Sequence, residues 1–269
     1  MKKKISIIIP FYNEKENIPL ILNDLKLKVL ISEKYNFEII LMDNHSTDGS
    51  DKIAKAEMSK FDDIKYFRMS RNFGYQSNIK AGFDLCTGDA AVQLDADGED
   101  DPALILEFLK LWEEGNDVVY GIRKKRKEFL VLTFIRNFFY NFLNRFSEIN
   151  LPEGAGDFRI IDRKLINYLK KFDERNLYLR GLISHTGFKQ IGFEYDRKKR
   201  LKGKSKISII KYLQIALSAI TSFTKAPLFI IFFLGIIVFS ASLILMIAYL
   251  IFFFLGKIDQ PGFTTIILI

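Results

Sequence analysis

Residues 90–101 of the chain, AAVQLDADGEDD, carry the pattern that decides its fold. A short apolar run ends abruptly at Asp95 and Asp97, inside a segment that holds five acids in seven residues. Such a run, bounded by turn-forming residues, predicts a buried strand with the acids just past its carboxyl end. Acids crowded in this way repel one another unless a cation binds beside them. A divalent metal that carries a diphosphate is the natural occupant, because hard cations bind both carboxylate and phosphate oxygens.

The sequence on either side of this stretch alternates strand and helix patterns over the first 121 residues. Strands are predicted at 5–9, 37–42, 64–69, 90–94 and 118–120, and helices at 15–31, 50–60, 76–86 and 103–114. The alternation predicts an α/β fold with a mostly parallel sheet and helices on both faces. Further strand patterns follow at 156–159 and 189–196.

Polar side chains follow three of the predicted strands at the point where each strand ends. They lie at 10–14, at 43–48, and at Asp95 and Asp97. Because ligands of such sheets bind outside the carboxyl ends of the strands, we expect these groups to share one site. Asp43, directly at a strand end, is the better candidate ligand, whereas Asp48 is predicted to cap a turn or helix.

The C-terminal part of the chain is far more apolar than the rest. Residues 227–255 contain no charged side chain. As a helix they would extend about 43 Å, against a hydrocarbon core of roughly 30 Å, which predicts one tilted transmembrane helix. The apolar part of the N-terminus is too short for a signal peptide, and Lys and Arg crowd the approach to the helix, so the preceding domain is predicted to be cytoplasmic. The single cysteine, Cys86, fits a reducing compartment.

The net charge of +8 is concentrated at 121–145 and 189–206. Overlapping the first of these, residues 129–146 predict a helix at the membrane interface, with a core helix as the alternative. Residues 207–223 predict an amphipathic juxtamembrane helix. Anionic lipid headgroups or a lipid phosphate are simpler partners for these basic stretches than nucleic acid, because no recognised nucleic-acid motif accompanies them.

Nine short motifs occur along the chain in the order typical of glycosyltransferase family 2, which the chain resembles over nearly its whole length. They are IPFYNE (9–14), DNHSTDGS (43–50), SRNFG (70–74), QLDAD (93–97), VYGIR (119–123), GDFR (156–159), RGL (180–182), RLKGKSK (200–206), and SF (222–223) before PL (227–228). More narrowly, the chain resembles the polyprenyl-phosphate glycosyltransferases, the group of dolichol-phosphate mannose synthase and bactoprenol glucosyltransferase.

This resemblance implies a GT-A fold, Rossmann-like, and inverting transfer of a sugar from a nucleotide-diphosphate sugar to polyprenyl (undecaprenyl) phosphate. A UDP-sugar is the favoured donor, with GDP-mannose as the other candidate. The reaction would take place at the cytoplasmic face of the inner membrane. We therefore predict a GT-A domain at 1–206, a juxtamembrane helix at 207–226, a transmembrane helix at 227–255, and the start of a second one at 263–269.

The resemblance also assigns roles to individual residues. Those lining the nucleotide-sugar pocket would be Pro10, Tyr12, Glu14, Asp43, Gln93 and Asp95. Asp95 and Asp97 would hold Mg²⁺ or Mn²⁺ against the donor diphosphate, and Asp157 would be a base or a positioning group, so that Asp97 and Asp157 are the catalytic pair. Because the attacking lipid phosphate is itself an anion, cations must hold it beside the donor. The candidates are Arg123, Arg126, Arg136, Arg159, Arg200 and Lys206, although Arg126 and Arg136 could instead face solvent or headgroups.

Three departures from the family pattern keep alternatives open. Asn44 and His45 replace a second acid and a glycine, Gly98-Glu99 replaces Leu-Gln, and the apolar run at 263–269 is short. One alternative is a catalytically inactive, membrane-tethered module that binds nucleotide sugar or anionic lipid. Another is a different membrane glycosyltransferase of the superfamily, although the acceptor motif of processive synthases is absent. The sugar, the base and the oligomeric state, including a homo-oligomer, stay open at this stage.

Overall fold

The computed structural model describes residues 2–61, 63–124, 155–172, 178–198, 202 and 224–256. The chain divides into two compact units, Met1–Phe223 and Thr224–Ile269, and each is described by itself. The predicted interface helix at 129–146, the juxtamembrane helix at 207–223 and the apolar run at 263–269 lie outside the described residues.

The first unit is an α/β sheet covered by helices. Its strands are β1 (Lys3–Phe11), β2 (Tyr35–Asp43), β3 (Ile64–Arg68), β4 (Ala90–Gln93), β5 (Val118–Arg123), β6 (Ala155–Asp162) and β7 (Gln190–Tyr195). Its described helices are α1 (Asn17–Lys28), α2 (Ser50–Met58), α3 (Tyr75–Leu85), α4 (Leu104–Glu113), α5 (Arg163–Leu169) and α6 (Leu179–His185). The predicted alternation over the first 121 residues is confirmed, with element ends that differ by a few residues.

The strands are ordered β3-β2-β1-β4-β6-β5-β7, and the predicted mostly parallel sheet is confirmed. The exception is β6, which runs antiparallel to both of its neighbours, β4 and β5. Arg159 in β6 is paired in register with Gln93 of β4 and with Tyr120 of β5. The reversed direction brings the start of β6, with Asp157, to the edge where β4 and β5 end. Asp43, Asp95 and Asp157, three of the predicted site residues, lie at this edge.

The middle of the sheet is buried on both faces, which explains the apolar runs at 7–9 in β1 and 39–42 in β2. In β1, Ile7 and Ile9 belong to one apolar cluster, while Ile8 belongs to a second cluster on the opposite face. Helix α3 lies close to β1 because Gly82 has no side chain, since a Cβ at this position would lie 2.5 Å from Ile8 Cγ2. Burial of each of these isoleucines stabilises the fold by about 1.5–3 kcal/mol.

The second unit contains one long apolar helix, α7 (Ala226–Phe254). Its residues Pro227–Phe254 are long and apolar enough to cross a membrane, with a mean hydropathy of 2.9. The helix predicted at 227–255 is thus confirmed as a helix with the composition of a membrane span.

Candidate active site

The acidic loop, residues 95–101, follows β4 at the carboxyl edge of the sheet. Asp95 and Asp97 are partly exposed there, whereas Asp100 is fully buried. The loop turns back on itself, because the backbone N–H of Glu99 donates to Asp97 Oδ1 at 3.1 Å. Gly98 has a φ of 71° within this turn, a conformation that glycine adopts without strain. The turn thus accounts for the glycine at this position.

Asp95 is oriented by a short chain of hydrogen bonds. The Tyr75 hydroxyl donates to Asp95 Oδ1 at 2.5 Å, and Gln93 Nε2 donates to the same hydroxyl at 3.0 Å. Burial raises the pKa of Asp95 to about 7, and the negative charges of Asp97 and Asp100 add to this effect. In the part of the chain that the structure describes, no Lys or Arg forms an ion pair with Asp95. Asp95 is thus a carboxylate that has no cationic partner among the described residues.

The missing ion pair at Asp95 raises the question whether these residues fit a divalent cation. Across the described ranges, no group of three His, Cys, Asp or Glu side chains is placed to hold a metal ion together. Asp95 and Asp97 would therefore be the protein's contribution, and donor phosphates would supply further oxygens, as is usual for Mg²⁺. A cation there would offset the negative charges of Asp97 and Asp100, which add to the effect of burial on the pKa of Asp95. The residues thus fit Mg²⁺ or Mn²⁺ shared with a diphosphate.

Asp157, at the start of β6, lies between two arginines. Its Oδ1 accepts a hydrogen bond from Arg180 Nη2 at 3.0 Å and lies 3.6 Å from Arg159 Nη2. Burial by itself would raise the pKa of Asp157, but the two guanidinium groups hold it below its usual value. The carboxylate is therefore ionised at neutral pH, and it orders the two guanidinium groups around it.

Arg123, at the end of β5, reaches the same edge. Its Nη2 lies 4.0 Å from Oδ2 of the buried Asp100. A Cβ at Gly156 would lie 3.4 Å from Arg123 Nε, so the glycine leaves room for the guanidinium. The predicted phosphate ligands Arg123 and Arg159 are thus brought to one edge, and Arg180 joins them.

Four of the residues predicted to line the nucleotide-sugar pocket lie at or just after the ends of β1 and β2. Pro10 is buried in β1, and Tyr12 and Glu14 follow it, half-buried. Asp43 is fully buried at the end of β2. Its Oδ1 accepts from the Ser46 backbone N–H at 2.7 Å, and its Oδ2 accepts from the Tyr66 hydroxyl. Asp43 therefore organises the turn that follows β2.

Hydrogen bonds join the two loops that follow β1 and β2. The Asn13 backbone N–H donates to Ser46 Oγ at 2.9 Å, and the Glu14 backbone N–H donates to Ser50 Oγ at 2.9 Å. The prediction that Asp48 caps is confirmed, because its Oδ1 accepts from the Ser50 backbone N–H at the start of α2. The loops that follow β1 and β2 are therefore joined by backbone N–H groups that donate to serine hydroxyls.

Four predicted phosphate-binding residues lie outside the described residues. They are Arg126, Arg136, Arg200 and Lys206. Sequence reasoning also missed four residues of the site. They are Tyr75, Asp100, Arg180 and Arg197. Arg197 joins the site because its Nε lies 3.2 Å from Asp100 Oδ1. Tyr75 directly follows the motif SRNFG, Arg180 opens the motif RGL and Asp100 belongs to the acidic run. For Arg197 the only signal was its place in a basic stretch.

Comparisons with known proteins agree with this architecture. Residues 6–169 match the family described as Glycosyl transferase family 2. YkcC of Bacillus subtilis (strain 168), described as an uncharacterized glycosyltransferase, is 39% identical over 86% of this chain and 72% of its own length. A prophage bactoprenol glucosyl transferase homolog of Escherichia coli (strain K12) is 31% identical over 90% of this chain and 79% of its own.

A solved structure shows the same fold at low identity. The mannosyltransferase PcManGT from Pyrobaculum calidifontis, in complex with GDP-Man and Mn²⁺, matches with a TM-score of 0.59 and 16% identity. The match covers 82% of this chain and 64% of PcManGT. The family match and the identity to YkcC carry the assignment: the chain belongs to glycosyl transferase family 2 and is a glycosyltransferase with the GT-A fold.

Proposed function

We propose that the protein transfers a sugar, with inversion, from a nucleotide-diphosphate sugar to polyprenyl phosphate at the cytoplasmic face of the membrane. One observation carries this proposal. Asp95 and Asp97 lie at the same edge of the sheet as the arginines Arg123, Arg159 and Arg180. Asp95 forms no ion pair with any residue that the structure describes. Such an edge can hold a metal-bound diphosphate and a second phosphate side by side.

The donor would bind on the acidic side of this edge. Asp95 and Asp97 would hold a divalent cation, which when bound stabilises the negative charge that develops on the departing diphosphate. Tyr75 and Gln93 keep Asp95 in one orientation through their hydrogen bonds. The loops after β1 and β2, with Pro10, Tyr12, Glu14 and Asp43, would line the nucleotide.

The acceptor would bind on the arginine side. An oxygen of the lipid phosphate attacks the anomeric carbon, the bond from that carbon to the donor diphosphate breaks, and the nucleoside diphosphate leaves with the electron pair. The attacking oxygen is already anionic, so a strong base is unnecessary. We therefore assign Asp157 to positioning, because it holds Arg180 and Arg159 by their guanidinium groups.

A membrane-bound acceptor is supported by two further observations. The E. coli relative is named for bactoprenol glucosyl transfer, and helix α7 has the length and composition of a membrane span. The basic stretch at 189–206 precedes that helix in the sequence and favours a cytoplasmic catalytic domain. Undecaprenyl phosphate, with its phosphate at the headgroup level, suits such a protein.

The test is transfer of radiolabel from a panel of UDP- and GDP-sugars into undecaprenyl phosphate, in membranes, with Mg²⁺ or with EDTA. The expected result is metal-dependent label in the lipid from one donor, which also names the sugar and the base. Membranes with the Asp97→Ala variant serve as the control. Failure of every donor to label the lipid, while donor binding persists, would contradict the proposal and favour an inactive binding module.

A further inference from the structure

Two loops at the carboxyl edge of the sheet are joined by side chains. The β2–α2 turn comprises residues 44–49, and the β3–α3 loop comprises residues 69–74. Asn44 of the turn contacts the loop through both ends of its amide. Its Oδ1 accepts the backbone N–H of Phe73 at 3.0 Å, and its Nδ2 donates to Asn72 Oδ1 at 3.0 Å. The Asn44 side chain therefore holds the loop by one backbone and one side-chain contact.

Further hydrogen bonds fix the β3–α3 loop at each of its ends. At its last residues, Asn72 Oδ1 also accepts the backbone N–H of Gly74 at 2.9 Å. At its first residue, the Met69 carbonyl accepts a hydrogen bond from His45 Nδ1 at 3.2 Å. His45 has a φ of 65°, a left-handed conformation that costs free energy for a residue with a Cβ. The β2–α2 turn thus holds both ends of the loop.

The β3–α3 loop leads directly into α3, whose first residue is Tyr75. The Tyr75 hydroxyl donates to Asp95 Oδ1 at 2.5 Å, although the residue as a whole is 38% exposed. Dense packing fixes a side chain only where it is buried. The direction of Tyr75 therefore depends mainly on its backbone and on its hydrogen bonds, and the backbone just before it is the segment that Asn44 holds.

Burial leaves Asn44 little surface for a nucleotide. The residue is only 5% exposed, and both ends of its amide already have partners in the protein. A nucleotide base that took the place of the loop would leave the Phe73 N–H without its acceptor, which is unfavourable away from water. Asn44 is therefore suited to hold the loop and poorly suited to bind the base.

We propose that Asn44 is a positioning residue of the donor site, which fixes the β3–α3 loop and thereby places Tyr75 against Asp95. This inference rests on the proposed function, because Asp95 is there a ligand of the cation that binds the donor. Asp97, the second proposed ligand, has a contact of its own, since its Oδ1 accepts the Glu99 backbone N–H. A change at Asn44 should therefore weaken cation binding without abolishing it.

The test is a double-mutant cycle with Asn44→Ala, Tyr75→Phe and the double variant. Asn72→Ala loosens the same loop from an exposed position, so it leaves the core intact. Asn23→Ala, at an exposed asparagine of α1, is the matched control. Two quantities are measured at pH 7. They are hydrogen exchange of the peptide amides at 69–76, and Mn²⁺ affinity by electron paramagnetic resonance with UDP or with GDP.

Asn44→Ala should speed exchange of the Phe73 amide by about fivefold, the effect of one lost hydrogen bond. It should lower Mn²⁺ affinity by about two- to fivefold, and equally with UDP and with GDP. Asn72→Ala should have the corresponding effects, with faster exchange at Gly74. The double variant should bind Mn²⁺ within about 1.5-fold of Tyr75→Phe alone, because both changes act on the same hydrogen bond. The Asn23→Ala control should change neither quantity.

Three results would overturn the inference. Multiplication of the two single effects on Mn²⁺ affinity would show that Asn44 does not act through Tyr75. A change of more than about fivefold in the ratio of UDP to GDP affinity in Asn44→Ala would make Asn44 a ligand of the base. Unchanged Mn²⁺ affinity in both Asn44→Ala and Asn72→Ala, despite faster exchange, would limit the contacts to a role in folding.

The outcome for Asn44 can be separated from the outcome for the proposed function, because neither measurement needs sugar transfer. A wild-type protein that binds Mn²⁺ with a nucleotide but labels no lipid would refute the proposed function, and the cycle would still decide the role of Asn44. A wild-type protein that binds no Mn²⁺ with either nucleotide would overturn both.

Discussion

Replacing Tyr75 by phenylalanine removes one hydroxyl from the site and keeps the ring. That hydroxyl donates to Asp95 Oδ1 at 2.5 Å and lowers the pKa of Asp95, which burial and neighbouring carboxylates raise to about 7. A hydrogen bond to a charged group contributes about 1.5–3 kcal/mol, so its loss should raise this pKa further by about one unit. The ionised fraction of Asp95 at pH 7 would fall from about a half to about a tenth.

Because only the ionised carboxylate binds a cation, Mn²⁺ affinity at pH 7 should fall about fivefold in Tyr75→Phe. At pH 8.5 both proteins are mostly ionised at Asp95, and the difference should shrink to less than about 1.5-fold. Titration of free Mn²⁺ by electron paramagnetic resonance, with UDP or GDP present, measures both values. Tyr168→Phe is the matched control, because Tyr168 lies 41% exposed on α5.

Equal Mn²⁺ affinity of Tyr75→Phe and the wild-type protein at pH 7 would refute the reasoning. So would a loss of the same size at pH 7 and pH 8.5, since it would show that the hydroxyl acts by some route other than the protonation of Asp95.

Three further predictions concern single positions. Asp97→Ala should abolish transfer with an unchanged melting temperature, because it removes a metal ligand from a partly exposed loop; normal turnover would rule out the metal assignment. Burial would raise the pKa of Glu38, but hydrogen bonds from Ser6 and Lys65 hold it well below 4.5. The ionised carboxylate therefore stabilises the folded protein above pH 4.5, and this stabilisation is lost as the pH falls below that value. Glu38→Gln should therefore melt lower at pH 7, with a gap that narrows in acid, and a constant gap would contradict this. Gly121→Ala places a Cβ 2.5 Å from the Tyr195 ring and should lower the free energy of unfolding by about 1–3 kcal/mol in thermal melts; unchanged stability would show that the ring can move aside.

Much of the sheet could be predicted because its signals are local. The apolar run of β4 and the acids that follow it stand next to each other in the sequence, and the capping role of Asp48 depends on Ser50, two residues away. The predicted convergence of strand ends also held for the loops after β1 and β2, which hydrogen bonds join. Parallel strands make this convergence a consequence of the fold class.

The placement of β6 could not be predicted in the same way. The motif GDFR indicated a strand but not its direction, and Arg159 meets Gln93 only because β6 runs antiparallel between β4 and β5. Strand order and direction depend on pairings between distant segments, which the period of apolar residues does not encode. The same limit applies to Tyr75, because its place in the sequence does not indicate that its hydroxyl donates to Asp95.

The sequence by itself determined the α/β alternation, the acidic loop at the end of β4, the basic stretches and the apolar helix, because each depends on side chains a few residues apart. Only the tertiary structure decided which charges compensate one another. It brings Arg197 to Asp100 and Arg180 to Asp157, and it leaves Asp95 without an ion pair in the described part of the chain. The physical reason is that the energy of a charge depends on burial and on distances of a few ångströms between atoms, which are set by long-range packing.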